Sequence, residues 1–421
     1  MVLENLTKTK KINSDAVTTE MQPRARNLAL LVFVIVSLLV TMSITQEETP
    51  EIGSLSYWLF IIAAGLLPLA DAGAIIKTLL GRARLLLLFG LMAGAWHMMR
   101  GDGRVVLQLG LIIWVLAWVS TDKARLNLDD LLLVYILLVV IGLGVWILTD
   151  LNKWGLIPGS TIEEIGIWRV SFFPNIANTG MLSLAISLVL TRSTAMARAH
   201  PVVLGIALYF LLFSFVRTAL IALTLYLALR WWFGRRHRSA RLLFWTSLLV
   251  GIGVNLIIAS SAVVIDYVQQ FPLLARLFLR GETGLTPEEI FQQLYRPWLW
   301  WQHLTIFANS PSLMGMGVFE FVDLQTQELN VGSTPGGSES LLTRLLAVYG
   351  LPAFLFMFYL ISRLRRLARQ RDLWACACFP AVMLLIMQWG NIFHPTSALG
   401  VIFFLMIVHG SKAFTEGRER K

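Results

Sequence analysis

Apolar runs long enough to cross a bilayer recur along the whole sequence. When runs of about 17–25 residues are counted as membrane spans, the chain of 421 residues contains about twelve. A bilayer core offers no water to backbone N–H and C=O groups, so such runs cross it as helices. The predicted spans lie near residues 27–46, 55–75, 84–99, 104–120, 131–149, 175–191, 201–216, 218–233, 242–263, 341–362, 374–391 and 395–411.

The composition agrees with a protein that resides in a membrane. Hydrophobic residues make up 57% of the chain and charged residues only 14%, whereas a soluble domain carries about 25% charged residues. The first 26 residues are polar, and no small-residue cleavage site follows the apolar run 27–44. We therefore expect an uncleaved anchor there rather than a signal peptide. The predicted fold class is an all-α polytopic membrane protein.

The net charge of +10 is explained by where the basic residues stand. With the N-terminus placed inside, 26 of the 35 basic residues fall in cytoplasmic segments, as the positive-inside rule requires. Both termini are then cytoplasmic, and no nucleic-acid partner is needed. Nine basic residues lie elsewhere and are the more informative ones: Arg100, Arg104, Lys153, Arg169, Arg217, Arg276, Arg280, Arg296 and Arg344.

One apolar stretch, 201–233, is too long for a single crossing. As one helix it would extend about 50 Å, against a hydrocarbon core of about 30 Å. Both flanking segments are basic. We predict that the stretch crosses twice and turns near Arg217; the alternative is one long tilted span.

This topology divides the chain into five parts. A cytoplasmic tail (1–26) precedes nine spans (27–263), and a large extracytoplasmic loop (264–340) follows them. Three further spans (341–411) and a short cytoplasmic tail (412–421) complete the chain. The large loop is rich in acidic residues, which suits the outer side.

Three arginines on the outer side are candidates for binding an anion. Arg217 interrupts an apolar run, and an unpaired arginine at the bilayer centre costs at least about 2.5–3.5 kcal/mol; the alternative is an arginine that snorkels to the interface. Arg296 precedes Pro297, where helix N–H groups and a guanidinium would together suit a phosphate; a solvated loop arginine is the alternative. For Arg169 the solvated alternative is favoured.

Two charges stand at the mouth of the predicted span 341–362. Ser338 is expected to cap this helix, which places Glu339 in its first turn. A carboxylate there stabilises the helix dipole by a few tenths to about 1 kcal/mol, so Glu339 is either a capping charge or a functional one. Arg344 lies within the span and requires a counter-charge or an anion.

The histidines give only weak indications of function. His303 and His394 face outward and are candidates for proton transfer, although a packing role is the simpler interpretation of each, and His97 is a weaker candidate. No metal motif, phosphate-binding glycine loop or Ser-His-Asp arrangement occurs, so we expect neither a metal nor a cofactor. The predicted chemistry is arginine-based and acts on an anionic, lipid-linked substrate.

Four stretches between residues 170 and 362 resemble, in order, motifs of the O-antigen polymerase and O-antigen ligase superfamily. The first is the asparagine-containing entry to a span, FFPNIANTG, with Asn175 and Asn178. The second is the Ser-Arg helix start, in which Arg217 matches and Val216 replaces the serine. The third is the loop helix RPWLWWQHLTIFANSPSLMGMG, with Arg296, Gly315 and Gly317, and the fourth is the helix ESLLTRLLAVYGLP.

The resemblance implies a glycosyltransferase with GT-C-like architecture in the bacterial inner membrane. Its active site would face the periplasm and work without a metal. A growing glycan on undecaprenyl diphosphate would be the donor, and a repeat unit on the same carrier the acceptor. A flippase and a chain-length regulator are the implied partners, besides membrane lipid. Arg217 and Arg296 would bind the diphosphate with help from Arg344, while Arg169, Asn178 and His303 would contribute to substrate binding.

One departure from the family pattern distinguishes its two branches. Where ligases keep a histidine near the acceptor hydroxyl, this chain has Glu339. The substitution favours a polymerase, in which Glu339 would orient or deprotonate the acceptor hydroxyl. The alternatives are a ligase that moves a finished glycan onto lipid A core or protein, and a lipid-linked oligosaccharide flippase.

Overall fold

The structure, a computed structural model, describes residues 72–148, 169–172, 176–235, 239–259, 295–317, 340–388 and 398–415. The predicted span near 27–46, most of that near 55–75, the N-terminal tail, residues 416–421 of the C-terminal tail and most of the 264–340 loop lie outside these residues.

Fourteen α-helices make up nearly all of the described chain. They are α1 (Ala72–Leu80), α2 (Arg84–Met99), α3 (Gly103–Val119), α4 (Leu128–Leu148), α5 (Ile176–Leu190), α6 (Thr194–Ala199), α7 (Pro201–Phe213), α8 (Arg217–Arg235), α9 (Ala240–Ala259), α10 (Tyr295–Asn309), α11 (Leu341–Tyr349), α12 (Ala353–Arg369), α13 (Leu373–Gln388) and α14 (Ala398–His409). Two short strands, β1 (Leu126–Asn127) and β2 (Phe414–Thr415), pair in parallel.

The all-α prediction is therefore confirmed for the part that the structure describes, apart from this one short strand pair. By length and composition, α4 and α9 can each cross a membrane; six further apolar helices or helical stretches are shorter. The membrane-protein assignment gains weak support from these two helices. The arrangement of about twelve spans stays a prediction.

Local sequence signals mark several helix ends. Ser193 caps α6 by accepting a hydrogen bond from the Met196 N–H at 3.1 Å, which satisfies one of the free donors of a helix start. Pro201 occupies the first turn of α7, where its missing N–H costs nothing. Arg366 and Arg369 lie in the last turn of α12, where positive charge suits the helix dipole.

Helices α5 and α13 form the centre of the bundle. Almost every residue of both is buried, as expected for helices that are apolar all around and enclosed by neighbours. In α7 and α9 only one face is buried. Large apolar side chains are exposed on these outer helices, for example Leu249 and Leu256 of α9, as expected for helices that face lipid.

The predicted reversal near Arg217 is present. Helix α7 ends at Phe213, whose carbonyl oxygen accepts a hydrogen bond from the Val170 N–H at 3.0 Å. The chain turns at Phe215, which has a φ of 50°, and α8 begins at Arg217. The run 201–233 therefore forms two helices rather than one long one.

Several helix ends meet at one end of the bundle, which we call the basic end. Arg363 of α12 donates to the Arg82 carbonyl oxygen at 2.7 Å, and Arg230 of α8 donates to that of Arg192 at 3.0 Å. Arg192 itself binds backbone carbonyls beside β2, and Trp374 at the start of α13 donates to the Leu188 carbonyl oxygen. These arginines all belong to the predicted cytoplasmic segments.

The opposite, distal end holds the other helix termini. The end of α4 meets the segment before α5, because Gly142 packs against the backbone of Phe172. The starts of α5 and α8 meet where Gly180 contacts Val216. The end of α13 meets the start of α11, where the Ser340 hydroxyl donates to the Met387 sulfur at 3.7 Å. Arg217 and Arg344 both belong to this end.

Two glycines of α4 give a matched test of the packing at the distal end. A Cβ at Gly142 would lie 2.6 Å from the Phe172 carbonyl oxygen, whereas one at Gly144 would meet nothing within 4 Å. We expect Gly142→Ala to destabilise the fold by about 1–3 kcal/mol, and Gly144→Ala to stabilise it slightly. Melting midpoints of the two purified variants would check this, and equal midpoints would contradict it.

Candidate active site

The distal end is built from interrupted helices. Helical structure is interrupted between α7 and α8. It is interrupted again between α11 and α12, where Gly350 has a φ of 66° and a ψ of −149°. The single predicted span 341–362 is therefore two helices, with the break at the Gly350–Pro352 turn. Such breaks leave helix ends inside the bundle, and helix N-termini attract anions.

Arg217 is the first residue of α8 and is partly buried. It directly follows the buried Val216, which packs against Gly180 in the first turns of α5. The sequence placed this arginine in an apolar run, and the structure puts it at a helix start on the distal end. Its guanidinium and the first-turn N–H groups of α8 belong to the same helix terminus.

Arg169 and Asn178 belong to the same junction. Arg169 precedes Val170, which bonds to the end of α7, and Asn178 lies in the first turn of α5. Ser171, two residues after Arg169, is tied to α5 by a 2.6 Å hydrogen bond between its hydroxyl and that of Thr179. The backbone thus brings Arg169, Asn178 and Arg217 to one corner of the distal end.

Arg217 lies at about the level of the last turn of α13. Helices α8 and α13 run in opposite directions, and Tyr226 lies within electrostatic range of Cys378. Arg217 is nine positions before Tyr226, and Met387 is nine positions after Cys378. At about 1.5 Å per residue, both are displaced by roughly 13 Å toward the distal end.

Arg344 also lies near the last turn of α13, but it belongs to a different helix, α11. Ser340, which contacts Met387, is the N-cap of α11 and lies one turn before Arg344. The Arg344 N–H donates to the Ser340 carbonyl oxygen at 3.2 Å, and the side chain is partly buried. The last turn of α13 thus lies close to the starts of both α8 and α11, which carry Arg217 and Arg344.

His303 is brought to α11 by helix α10. Its side chain is completely buried, and its Nδ1 is hydrogen-bonded to the Thr343 hydroxyl at 2.9 Å. Burial and the nearby Arg344 guanidinium lower the pKa of His303 to about 3. His303 is therefore neutral at physiological pH and acts on α11 as a hydrogen-bonding group rather than as a cation.

The low pKa of His303 predicts a pH-dependent stability. An unfolded chain binds the proton near pH 6.5, but the folded protein binds it only near pH 3. Between these values the unfolded state holds more protons, so stability is complete above about pH 6.5 and falls by about 1.4 kcal/mol per pH unit below it. We expect the melting midpoint of the wild type to fall more steeply from pH 7 to pH 4 than that of His303→Gln. Parallel curves would contradict this, and His200→Gln is the matched control.

Three of the predicted residues cannot be placed in this geometry. Glu339 and His394 lie outside the described residues. Arg296 belongs to the first turn of α10, and its side chain also lies outside them. The predicted cap is wrong: Ser340, not Ser338, caps α11, because its hydroxyl accepts a hydrogen bond from the Thr343 N–H at 3.4 Å. The first turn of α11 accordingly contains no acidic residue.

The two glycine-containing motifs of the sequence bind each other. The N–H groups of Met316 and Gly317 donate to the carbonyl oxygens of Ala347 and Val348 at 2.9 and 3.1 Å. In the other direction the Leu351 N–H donates to the Leu313 carbonyl oxygen at 2.8 Å. The motif around Gly315 and Gly317 therefore fastens the end of α11.

Glycine is required where these backbones approach. Gly315 has a φ of 83°, and a Cβ there would lie 2.3 Å from the Val348 carbonyl oxygen. Only a residue without a side chain adopts this conformation freely and leaves space for the backbone at the end of α11. The glycines thus serve packing at this point.

Three residues at the end of α2 and directly after it complete this arrangement. From the sequence, His97 was only a weak candidate for proton transfer, and neither Arg100 nor Asp102 was assigned to the site. His97 is bonded to the Val348 carbonyl oxygen at 3.0 Å, Arg100 donates to that of Gly315 at 3.3 Å, and Asp102 lies beside Gly317. We call residues 97–102, 313–317 and 347–351 the distal clamp. A signal existed in the closely spaced charges of HMMRGD, but their partners are more than 200 positions away.

The described part of the chain contains no group of three or more His, Cys, Asp or Glu side chains that would hold a metal ion. Cys376 and Cys378 are both buried with free thiols. A search of protein-family models gave no match to the sequence, and a search of curated proteins gave none either.

Proposed function

We propose that this protein is a polysaccharide polymerase of the bacterial inner membrane, which joins repeat units carried on undecaprenyl diphosphate. The observation that supports it best is the position of Arg217 and Arg344. Both belong to interrupted helices, and both lie near the last turn of α13 at the end of the bundle opposite to the basic residues. This end would face the periplasm under the positive-inside rule.

The proposed reaction is a glycosyl transfer. A hydroxyl of the acceptor sugar attacks the anomeric carbon of the donor glycan, a new C–O bond forms, and the bond to the diphosphate breaks. The hydroxyl proton passes to a base, for which Glu339 is the candidate, and undecaprenyl diphosphate leaves as the anion. Positive charge placed where this negative charge develops lowers the barrier.

Arginine suits this task better than lysine. Its planar fork binds two oxygens of a diphosphate at once and stays charged at any physiological pH. Arg217 and Arg344, together with Arg296 of α10, would hold the leaving group. The N-termini of α8 and α11 would add backbone donors. Apolar surface of the outer helices would accommodate the polyprenyl chain.

A strain that lacks the gene distinguishes the candidate functions. Loss of a polymerase leaves single repeat units and no long chains. If long chains accumulate on the lipid carrier instead, the protein is a ligase. Purified protein in liposomes that moves lipid-linked glycan across the bilayer without lengthening it would identify a flippase. Elongation of purified lipid-linked repeat units by the isolated protein would be the direct positive result.

Substitutions at Glu339 and Ser340 distinguish a catalytic role of the Glu339 carboxylate from a role in helix capping. Because Ser340 caps α11, we expect Glu339→Gln to slow elongation by about 100-fold with little change in the melting midpoint. Ser340→Ala is expected to cost about 1 kcal/mol of stability through the lost cap. A Glu339→Gln variant with full activity would remove Glu339 from the mechanism.

A further inference from the structure

The end of α11 is held by groups from two distant segments. The last carbonyl oxygens of a helix have no partner within that helix. In α11, the Val348 carbonyl oxygen receives the Gly317 N–H at 3.1 Å and faces Nε2 of His97 at 3.0 Å. His97 is completely buried in the last turn of α2, so its ring is enclosed where it meets α11.

The surroundings of the His97 ring determine where its proton lies. A carbonyl oxygen only accepts hydrogen bonds, so Nε2 carries hydrogen and donates to Val348. Nδ1 faces the carboxylate oxygen Oδ2 of Asp102 at 3.4 Å. The Tyr349 ring packs edge-on against the imidazole with centroids 5.8 Å apart. The ring is thus orientated on three sides, by Val348, Asp102 and Tyr349.

Arg100 extends the same contact to the loop after α10. Its Nη1 donates to the carbonyl oxygens of Gly315 and Met316 at 3.3 and 3.4 Å. The N–H groups of Met316 and of the next residue, Gly317, donate in turn to the carbonyl oxygens of Ala347 and Val348. One short segment at the end of α2, residues 97–100, therefore holds both the loop and the helix end, with His97 at the point where the two meet.

We propose that His97 is a positioning residue, which acts through the Val348 carbonyl to set the place of α11 and hence of Arg344. This inference rests on the proposed function, in which Arg344 binds the diphosphate. Arg344 and Val348 are four positions apart, so they lie on one face of the helix. A helix of nine residues, held at Ser340 by α13 and at Val348 by α2, has little freedom to shift while both contacts persist.

Three substitutions of His97 separate its hydrogen bond to Val348 from its contact with Asp102. A glutamine amide reaches the position of Nε2 and preserves the bond to Val348. An asparagine amide is shorter and reaches only the position of Nδ1, beside Asp102. Phenylalanine fills the volume without any hydrogen bond. The order of activity expected from a positioning role is wild type, then His97→Gln, then His97→Asn and His97→Phe.

His409 provides the matched control at the basic end. Its Nε2 is hydrogen-bonded to the carbonyl oxygen at the end of α3, that of Val119, at 2.7 Å. This contact resembles that of His97, but it lies away from Arg217 and Arg344. His409→Phe is expected to lower the melting midpoint and to retain elongation per folded molecule.

The experiment combines elongation of lipid-linked repeat units with amide hydrogen exchange of residues 341–349 in purified protein. Misplacement of a catalytic group by about 1 Å costs about 100-fold in rate. We expect His97→Phe to lose elongation to that extent and to speed up exchange in α11, and His97→Gln to recover most of both.

Two results would overturn the proposal. One is unchanged exchange in α11 of His97→Phe, which would show that the contact does not hold the helix. The other is faster exchange with full elongation, which would show that the position of α11 does not matter for the reaction. Wild-type protein that fails to elongate any repeat unit would instead reject the proposed function. The exchange result would still decide whether His97 holds α11.

Discussion

Replacing Arg217 with alanine is expected to reduce chain elongation by about 1,000-fold, because it removes positive charge from the site where the diphosphate leaves. Arg217 is the first residue of α8, at the level of the last turn of α13. The measurement is the rate at which purified protein extends lipid-linked repeat units, at equal amounts of folded protein.

Two further variants of α8 show whether this loss is specific. Arg217→Lys preserves the charge but not the fork, so we expect partial activity. Arg235 belongs to the same helix at the basic end, where its guanidinium lies over the Trp231 ring at 4.2 Å. Arg235→Ala is expected to elongate at nearly the wild-type rate. If it lost as much activity as Arg217→Ala, the site would not be at the distal end.

Replacing Gly350 with alanine is expected to lower the melting midpoint by about 5 °C or more. A Cβ at this position would lie 2.3 Å from the Leu313 carbonyl oxygen, on the opposite side of the distal clamp. The φ of 66° with a ψ of −149° belongs to a region that is nearly restricted to glycine and costs another residue about 1–3 kcal/mol. For a protein of this size, each kcal/mol corresponds to roughly 2 °C.

The same substitution at Gly253 of α9 is the control. A Cβ there would meet nothing within 4 Å, and alanine favours a helix over glycine by about 1 kcal/mol. We expect Gly253→Ala to melt at or slightly above the wild-type midpoint. If Gly350→Ala melted there too, the clamp would not bind the two segments as described.

The helical positions were largely readable from the sequence. Hydropathy placed most described spans within a few residues of the observed helices, and the basic residues predicted to be cytoplasmic gather at one end. The reversal near Arg217 was predictable because one helix of that length exceeds the bilayer thickness. Hydropathy did not predict the break at Gly350, because α11 and α12 are both apolar at their junction. The local signal for it was Gly350 followed by Pro352.

The candidate site was predictable only in part. Arg217 and Arg344 stood out because a charge within an apolar run is costly, and the structure assigns both to the distal end. No comparable feature of the sequence marks the residues of the distal clamp. His97, Gly317 and Val348 are far apart in the chain, and their bonds run through backbone carbonyls, which every residue possesses.

Hydropathy and charge by themselves determined that this chain is helical and which residues are unusual for their surroundings, since both properties belong to short segments. The tertiary structure alone decided that Ser340 rather than Ser338 caps α11. It also decided that the glycine motif fastens α11, and that a buried histidine of α2 meets this helix. The physical reason is that these contacts depend on which helix ends come together in space, and no local property of the chain encodes that.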